Sequence, residues 1–249
     1  MQYPQVEIDI GNTRTKWRVR QSPGEASPIQ FCMTADVQLL LSELRLVQPR
    51  KVAIASVGDE LLIEPIKQLS ALQGFDLVEL KSAAVQAGVV NAYQDPARMG
   101  VDRWMAMLGA RRAHNGKLLV VSAGSALVLD VVDSSGQHLG GLIAPGLAML
   151  YQSLVGNTKR IYMREDVQGE GSLGYSTETC VLNAHHIMVQ GFINESLRHI
   201  GKVDVCVIGG GDAEVVAGHI RASPEVRNAT VVVNESVILD GVAAAMSDC

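Results

Sequence analysis

Two short segments half a chain apart share one plan, and that repetition constrains the fold more than any other feature. The first, Val6-Glu7-Ile8-Asp9-Ile10-Gly11-Asn12-Thr13-Arg14-Thr15-Lys16-Trp17, is an apolar run, a Gly-Asn turn and a second run opened by a lysine. The second extends from Lys117 to Val132 and reads strand, small-residue turn, strand. Aligned on the glycine, Ser122-Ala123-Gly124-Ser125-Ala126 falls over Asp9-Ile10-Gly11-Asn12-Thr13. Turn residues between alternating apolar runs are a hairpin signal. Two such hairpins so placed point to an internal duplication, each half presenting a glycine-containing loop.

The first loop carries a carboxylate, a hydroxyl and an ammonium within a few residues. That set suits a polyphosphate: backbone N–H groups of Gly11 and Asn12 and the Thr13 hydroxyl for phosphate oxygens, Lys16 as a point charge, Asp9 for magnesium. The plainer alternative is a hairpin whose buried Asp9 bonds its own turn. The second copy, with Gly124 and Ser125 at its turn, favours the phosphate reading. Two loops clasping one polyphosphate resemble the superfamily of sugar kinases, actin and heat-shock chaperones. No G-x-x-x-x-G-K-[ST] run occurs, which excludes a Walker loop.

Strand-type and helix-type spacing alternate along the chain. Strands are expected at 5–10, 15–20, 51–57, 75–80, 203–208 and 230–233, and helices at 36–46 (with Thr34 as cap), 60–72, 99–113, 147–154 and 236–246. A long helix is expected to begin at Ser176. The polar link His114-Asn115-Gly116 marks a boundary between a domain over 1–114 and another over 115–249. The expected fold class is α/β, two related actin-like (ribonuclease H-like) domains facing a nucleotide cleft. A Gly- and Ser-rich loop over 156–175 is a candidate wall of the substrate site or of a dimer interface.

Composition narrows the partners. With 249 residues, a net charge of −5 and no basic block, nothing points to nucleic acid or an anionic membrane. No apolar run reaches the length of about 20 residues that spans a bilayer, and no signal-peptide pattern opens the chain, so the cytoplasm is expected. Cys32, Cys180, Cys206 and Cys249 contain no C-x-x-C pair, which argues against a zinc site or a disulfide framework. His185 and His186 are neighbours on an expected helix and point about 100° apart, so they cannot face one metal together.

Three further constellations carry chemistry. Gly100-Val101-Asp102-Arg103-Trp104 sets a carboxylate and a guanidinium at a helix start, either as dipole-favoured surface groups or as a base with an oxygen-fixing partner. Gly209-Gly210-Gly211-Asp212 links a strand to a helix and lets the backbone approach a ligand, if it is more than a tight turn. Gly140-Gly141-Leu142-Ile143-Ala144-Pro145-Gly146 is either a turn or a cleft wall.

Together these pieces resemble the type III pantothenate kinases, in order and over nearly the whole chain. The matching motifs are Asp9 to Lys16, Gly100 to Arg103, Gly140 to Gly146, Ser176-Thr177, Gly210 to Ala213 and Leu239-Asp240-Gly241-Val242. The resemblance implies transfer of the ATP γ-phosphate to the hydroxyl of pantothenate, giving 4'-phosphopantothenate, the first step of coenzyme A biosynthesis. It implies a homodimer, Mg2+ or another divalent cation, and a monovalent cation, K+ or NH4+. Asp102 would be the base, and Asp9 would organise metal and phosphate. Gly11, Asn12, Thr13, Lys16, Gly124, Ser125, Gly210 and Gly211 would line the nucleotide. Tyr93, Gly100, Asp102 and Arg103 would bind pantothenate, joined by Thr177 of a neighbouring subunit.

One departure touches the chemistry. The family's second phosphate motif is Asp-x-Gly-Thr, whereas this chain has Ser122-Ala123-Gly124-Ser125. Ser125 keeps a hydroxyl, but Ser122, at a metal-side position, lacks the carboxylate that hard cations favour. A weakly active or non-catalytic relative with a regulatory role is therefore the second reading. Another kinase or phosphohydrolase of the same superfold is the third.

Overall fold

A computed structural model describes residues 4–22, 24–58, 60–157 and 172–248. The chain divides into two compact units, one of Met1–Asn115, Val132–Gly140 and Ser236–Cys249, the other of Gly116–Val131 and Gly141–Glu235. The first crossing falls at the polar link of 114–116. The units do not follow the linear division into 1–114 and 115–249, because the chain twice returns to the first.

The first unit opens with β1 (Gln5–Ile10), β2 (Arg14–Ser22), the short β3 (Glu25–Ala26) and β4 (Gln30–Met33). Then come α1 (Gln38–Val47), β5 (Lys51–Ser56), α2 (Glu64–Gln73), β6 (Asp76–Glu79), the two-residue strands β7 (Val85–Gln86) and β8 (Val89–Val90), and α3 (Val101–Ala113). The sheet runs β3-β2-β1-β5-β6, with β4 also on β2. β1 is antiparallel to β2 and parallel to β5, and β5 is parallel to β6.

The second unit is built on β9 (Leu118–Ala123), β10 (Ala126–Val132), β11 (His138–Pro145), α4 (Leu147–Asn157), α5 (Thr177–Ile200), β12 (Val205–Gly209), α6 (Ala213–Arg221) and β13 (Thr230–Val233). Its sheet runs β11-β10-β9-β12-β13, with β9, β12 and β13 parallel. The order β10-β9-β12-β13 repeats β2-β1-β5-β6, the topological form of the duplication read from the two hairpins. Both glycine-containing loops thus leave the carboxyl end of a strand that is parallel to its inner neighbour, the usual place for ligands in α/β sheets.

Helix α7 (Val237–Ser247) closes the chain and belongs to the first unit. Gly241 of α7 and Gly109 of α3 explain how the two helices pack. A Cβ on Gly241 would lie 1.8 Å from the Met105 carbonyl oxygen, and one on Gly109 would lie 2.0 Å from that of Val237. Only bare backbone fits this crossing.

All six residues of β1 are buried because both of its alternating faces are covered. Val6, Ile8 and Ile10 enter a core with Trp17, Leu40 and Ile54, where each such side chain contributes about 1.5–3 kcal/mol. Gln5, Glu7 and Asp9 lie on the other face of β1, and α7 packs on β1 as well. Glu7 is wholly buried and takes hydrogen bonds from Arg18 Nε and, at 2.7 Å, from Arg20 Nε. Arg18 Nη1 also donates to Asp240 Oδ1 at 2.8 Å, which ties the closing Leu-Asp-Gly piece to the first hairpin. The second core gathers Leu119, Val121, Leu129, Ile193 and Ile208 among others. Most of the 156–175 loop, and Cys249, lie outside the described residues.

Candidate active site

The register of β1 and β2 sets Asp9 directly across from Lys16 and Ile10 across from Thr15. Between them the Gly11 amide donates to the Arg14 carbonyl at 3.1 Å, and Asn12 and Thr13 stand exposed at the tip. Thr34 braces this loop from β4's end: its hydroxyl donates to the Gly11 carbonyl at 2.8 Å, and its amide to the Thr13 carbonyl at 3.0 Å. It also lies 3.2 Å from the Thr15 hydroxyl. Thr34 is therefore not the cap of α1, which starts later with Val37 at its N-cap.

Asp9 is almost fully buried. Burial, and then the negative charge of Asp102, push its carboxyl up from 3.8 to about 7, while Lys16 pulls the other way. A buried carboxylate with a second carboxylate near holds its proton more tightly than an ordinary one, and with a pKa of about 7 it exchanges that proton around neutral pH. Such a group is ready to exchange that proton for a metal or a phosphate-bound cation.

Asp102 stands in the first turn of α3. Its Oδ1 accepts from the Arg103 amide at 2.8 Å, and a Cβ on Gly100 would come within 2.6 Å of it. Glycine at position 100 thus leaves room for the carboxylate to fold over the helix start. Arg103 is buried and turns toward the preceding loop, where its Nη1 donates to the Tyr93 hydroxyl at 2.9 Å. Its guanidinium also lies 5.6 Å from the Tyr93 ring centroid. Asn91 Oδ1 accepts from the Tyr93 amide at 2.9 Å, and the Tyr93 ring stacks on buried His138 at 6.4 Å.

In the second unit the Gly124-Ser125 turn is a meeting of backbones. The Gly124 amide donates to the Ala126 carbonyl at 3.0 Å, that of Gly146 to Ser125 at 3.0 Å, and that of Asp212 to Ala123 at 3.0 Å. A Cβ on Gly146 would lie 2.1 Å from the Gly124 oxygen, and one on Gly210, which has φ +112°, would lie 2.1 Å from the Ala123 oxygen. Gly124 and Gly211 face open space on their side-chain side. Ser122 pairs with Gly209 across β9 and β12. Asp130 is four residues into β10, about 13 Å along the strand from the turn, so it does not bring a carboxylate to the loop. Ser176 caps α5 with a capping box, its Oγ accepting from the Thr179 amide at 3.2 Å, and Thr177 is exposed beside it.

Tyr93, Gly100, Asp102, Arg103, Asp9 and Lys16 thus share the first unit, while Ser122, Gly124, Ser125, Thr177, Gly210 and Gly211 belong to the second. Three residues at these loops have roles that no local sequence signal announces. Thr34 and His138 are single polar residues whose partners lie many positions away. Asp212 is legible only as part of a glycine run, yet its amide binds the second loop, and burial raises its carboxyl.

A family model of the type III pantothenate kinases matches residues 6–199. The chain belongs to this family. The type III pantothenate kinase of Laribacter hongkongensis is 33% identical over 95% of this chain and 95% of its own. That of Cellvibrio japonicus is 35% identical over 86% and 88%. Among solved structures, a protein described as a conserved Baf-family transcriptional activator from Campylobacter jejuni has a TM-score of 0.62 at 18% identity, covering 98% of both chains. The polyphosphate/ATP-glucomannokinase of Arthrobacter sp. strain KM has a TM-score of 0.51 at 13% identity, covering 99% of both. These likenesses show the fold, the two-domain ribonuclease H-like plan of the sugar kinases.

Proposed function

We propose that the protein is a kinase that transfers the γ-phosphate of ATP to the primary hydroxyl of pantothenate, giving 4'-phosphopantothenate and opening coenzyme A biosynthesis. One observation supports this most: the first unit, in a chain of this family, gathers Asp9, Lys16, Asp102 and Arg103 around one hairpin and one helix start.

In this reading Asp102 takes the proton of the pantothenate hydroxyl, and that oxygen bonds to the γ-phosphorus. The bond from phosphorus to the bridging oxygen breaks, and ADP leaves. Lys16 and the exposed Asn12-Thr13 tip of the loop hold phosphate oxygens, with Gly11 shaping the turn, while Arg103 and Tyr93 hold the acceptor. Gly124, Ser125, Gly210 and Gly211 offer backbone and one hydroxyl to the nucleotide. Thr177 completes the acceptor site from a second subunit.

A divalent cation fits the donors present. Magnesium is commonly held by one or two carboxylates and the substrate's phosphates. Asp9, the carboxylate beside the first loop, would hold it with those phosphates while Asp102 serves as the base. When bound, it would neutralise charge on the transferring phosphate. A monovalent cation, K+ or NH4+, would rest on oxygens such as that of Ser122. A homodimer is supported by exposed Leu142, Ile143, Met149, Ile187 and Met188 on β11, α4 and α5, apolar side chains suited to a partner. No described helix is long and apolar enough to cross a membrane, and a cytoplasmic location goes with the reading.

The test is ADP formation from ATP and magnesium with and without pantothenate, in potassium and in sodium. Pantothenate-dependent turnover that an Asp102→Asn variant loses is the expected result. Turnover independent of pantothenate would overturn the reading. Ser122 favours one second reading, a scaffold of reduced activity with a regulatory role, which predicts no turnover from the natural chain.

A further inference from the structure

We infer that His138, which stands outside every motif of the sequence, is a positioning residue that holds Tyr93 and through it Arg103 in the geometry that binds the acceptor. The inference rests on the proposed acceptor site and adds to it a part supplied from a distant stretch of chain.

His138 opens β11 and is 1% exposed. It touches the Tyr93 loop in two ways. Its Nδ1 accepts from the Ala92 amide at 3.4 Å. Its ring stacks on that of Tyr93 with centroids 6.4 Å apart and planes inclined by 23°, within the range of favourable aromatic pairs. Tyr93 also meets Arg103, which is bonded to the phenol oxygen at 2.9 Å and lies 5.6 Å from the ring centroid. Tyr93 thus links His138 to Arg103, the residue next to Asp102.

The backbone of the Tyr93 loop is anchored at Asn91, whose amide donates to the Ala84 carbonyl at 2.8 Å and whose Nδ2 donates to the Ala83 carbonyl at 3.2 Å. The Tyr93 ring meets His138 and Arg103. The loop follows the two-residue strand β8, and the neighbours Ala92, Gln94 and Asp95 are exposed. The turn that carries His138 is docked on it firmly. The Val90 amide donates to the Gly136 carbonyl at 2.9 Å, and Gln137 Nε2 donates to the Val90 carbonyl at 3.3 Å. Gly136 has φ +93°, and a Cβ there would lie 2.0 Å from the Gly88 oxygen. These contacts explain why 132–140 belong to the first unit although β11 continues into the second. Because Tyr93 accepts from Arg103, its own O–H remains a donor for an acceptor-substrate oxygen. His138 keeps that phenol in place without touching the substrate.

Two variants separate the contacts. His138→Phe keeps a ring and removes the acceptor for the Ala92 amide; His138→Asn keeps an acceptor and removes the ring. Steady-state kinetics on the full chain should show KM for pantothenate raised about 5–20-fold in His138→Phe, with KM for ATP changed less than about twofold. His138→Asn should recover part of that loss. In a Tyr93→Ala background, His138→Phe should add nothing, since its effect passes through Tyr93. Hydrogen exchange over 91–94 should quicken in His138→Phe. Unchanged KM for pantothenate in an active His138→Phe, a loss shared equally by both substrates, or full additivity with Tyr93→Ala would overturn the inference. If the natural chain shows no pantothenate-dependent turnover, the proposed function itself fails; unaltered exchange over 91–94 would then overturn the positioning role independently.

Discussion

The two glycine-containing hairpins have the same topological place and opposite chemistry. The first holds a buried carboxylate across from a lysine, with a second carboxylate close enough to raise its pKa. The second holds no carboxylate in its loop, and instead brings three backbones together at Ala123, Gly146 and Gly210. A duplicated unit thus keeps its strand order while one copy concentrates charge and the other provides shape. In this chain that division is extreme because Ser122, which matches Asp9 of the first hairpin, is uncharged. The lesson is that the positions fixing the fold, apolar strand residues and tight-turn glycines, can be shared between copies while the charged positions diverge.

The largest effect that would sharpen the contrast belongs to Asp102. Asp102→Asn removes the proposed base and should lower kcat by about 10²–10⁴, with thermal stability nearly unchanged. Steady-state rates and a melting curve check both halves; a rate within tenfold of the natural chain would break the assignment of chemistry to the first unit.

Gly210→Ala tests the second loop as shape. Its φ of +112°, and the Ala123 oxygen 2.1 Å from where a Cβ would stand, leave no room for a methyl group. We expect a loss of about 2–4 kcal/mol of stability in chemical denaturation and weaker ATP binding. Gly124→Ala, which meets nothing within 4 Å, should by contrast leave stability within about 1 kcal/mol. Equal losses in the two variants would count against a close-packed backbone junction.

Asp9 gives a pH signature that the second hairpin cannot. Its folded-state pKa of about 7 lies above the ordinary 3.8, so folding favours the protonated form. The stability this contributes is fully present below pH 4 and is lost as pH rises through about 7. Asp9→Asn should therefore match the natural chain near pH 4 and exceed it by about 2–4 kcal/mol at pH 8, while losing kinase activity. Melting temperatures across that range would show it, and a constant difference would rule out the buried carboxyl as its source. In the natural chain, kcat/KM for ATP should climb as pH rises toward 7, since the ionised form serves a metal-bound nucleotide.

Much of this is legible in the sequence because it is local. The Asp9–Lys16 pairing follows from a short turn between alternating strands, and the Ser176 cap from one hydroxyl three residues before Thr179. The rest depends on contacts that sequence proximity does not report. Thr34 has the look of a helix cap because a hydroxyl before a helical run usually is one, yet the first loop offers it a carbonyl. The return of α7 to the first unit turns on Gly241 meeting Met105, a residue from the far side of the whole second unit in chain order. Gly100 and Arg103 are placed at the acceptor by resemblance alone; the structure adds the steric reason for one and the Tyr93 partner of the other.

The smallest expected change tests the central claim most directly: that charge in the first hairpin suffices and the second works through its backbone. Pantothenate-dependent turnover of the natural chain should be measured beside Ser122→Asp under one set of cation conditions. The account predicts an active natural chain and a variant within about threefold of it, a difference under about 1 kcal/mol. A silent natural chain that Ser122→Asp brings to life would contradict it, and would place an indispensable carboxylate in the second hairpin.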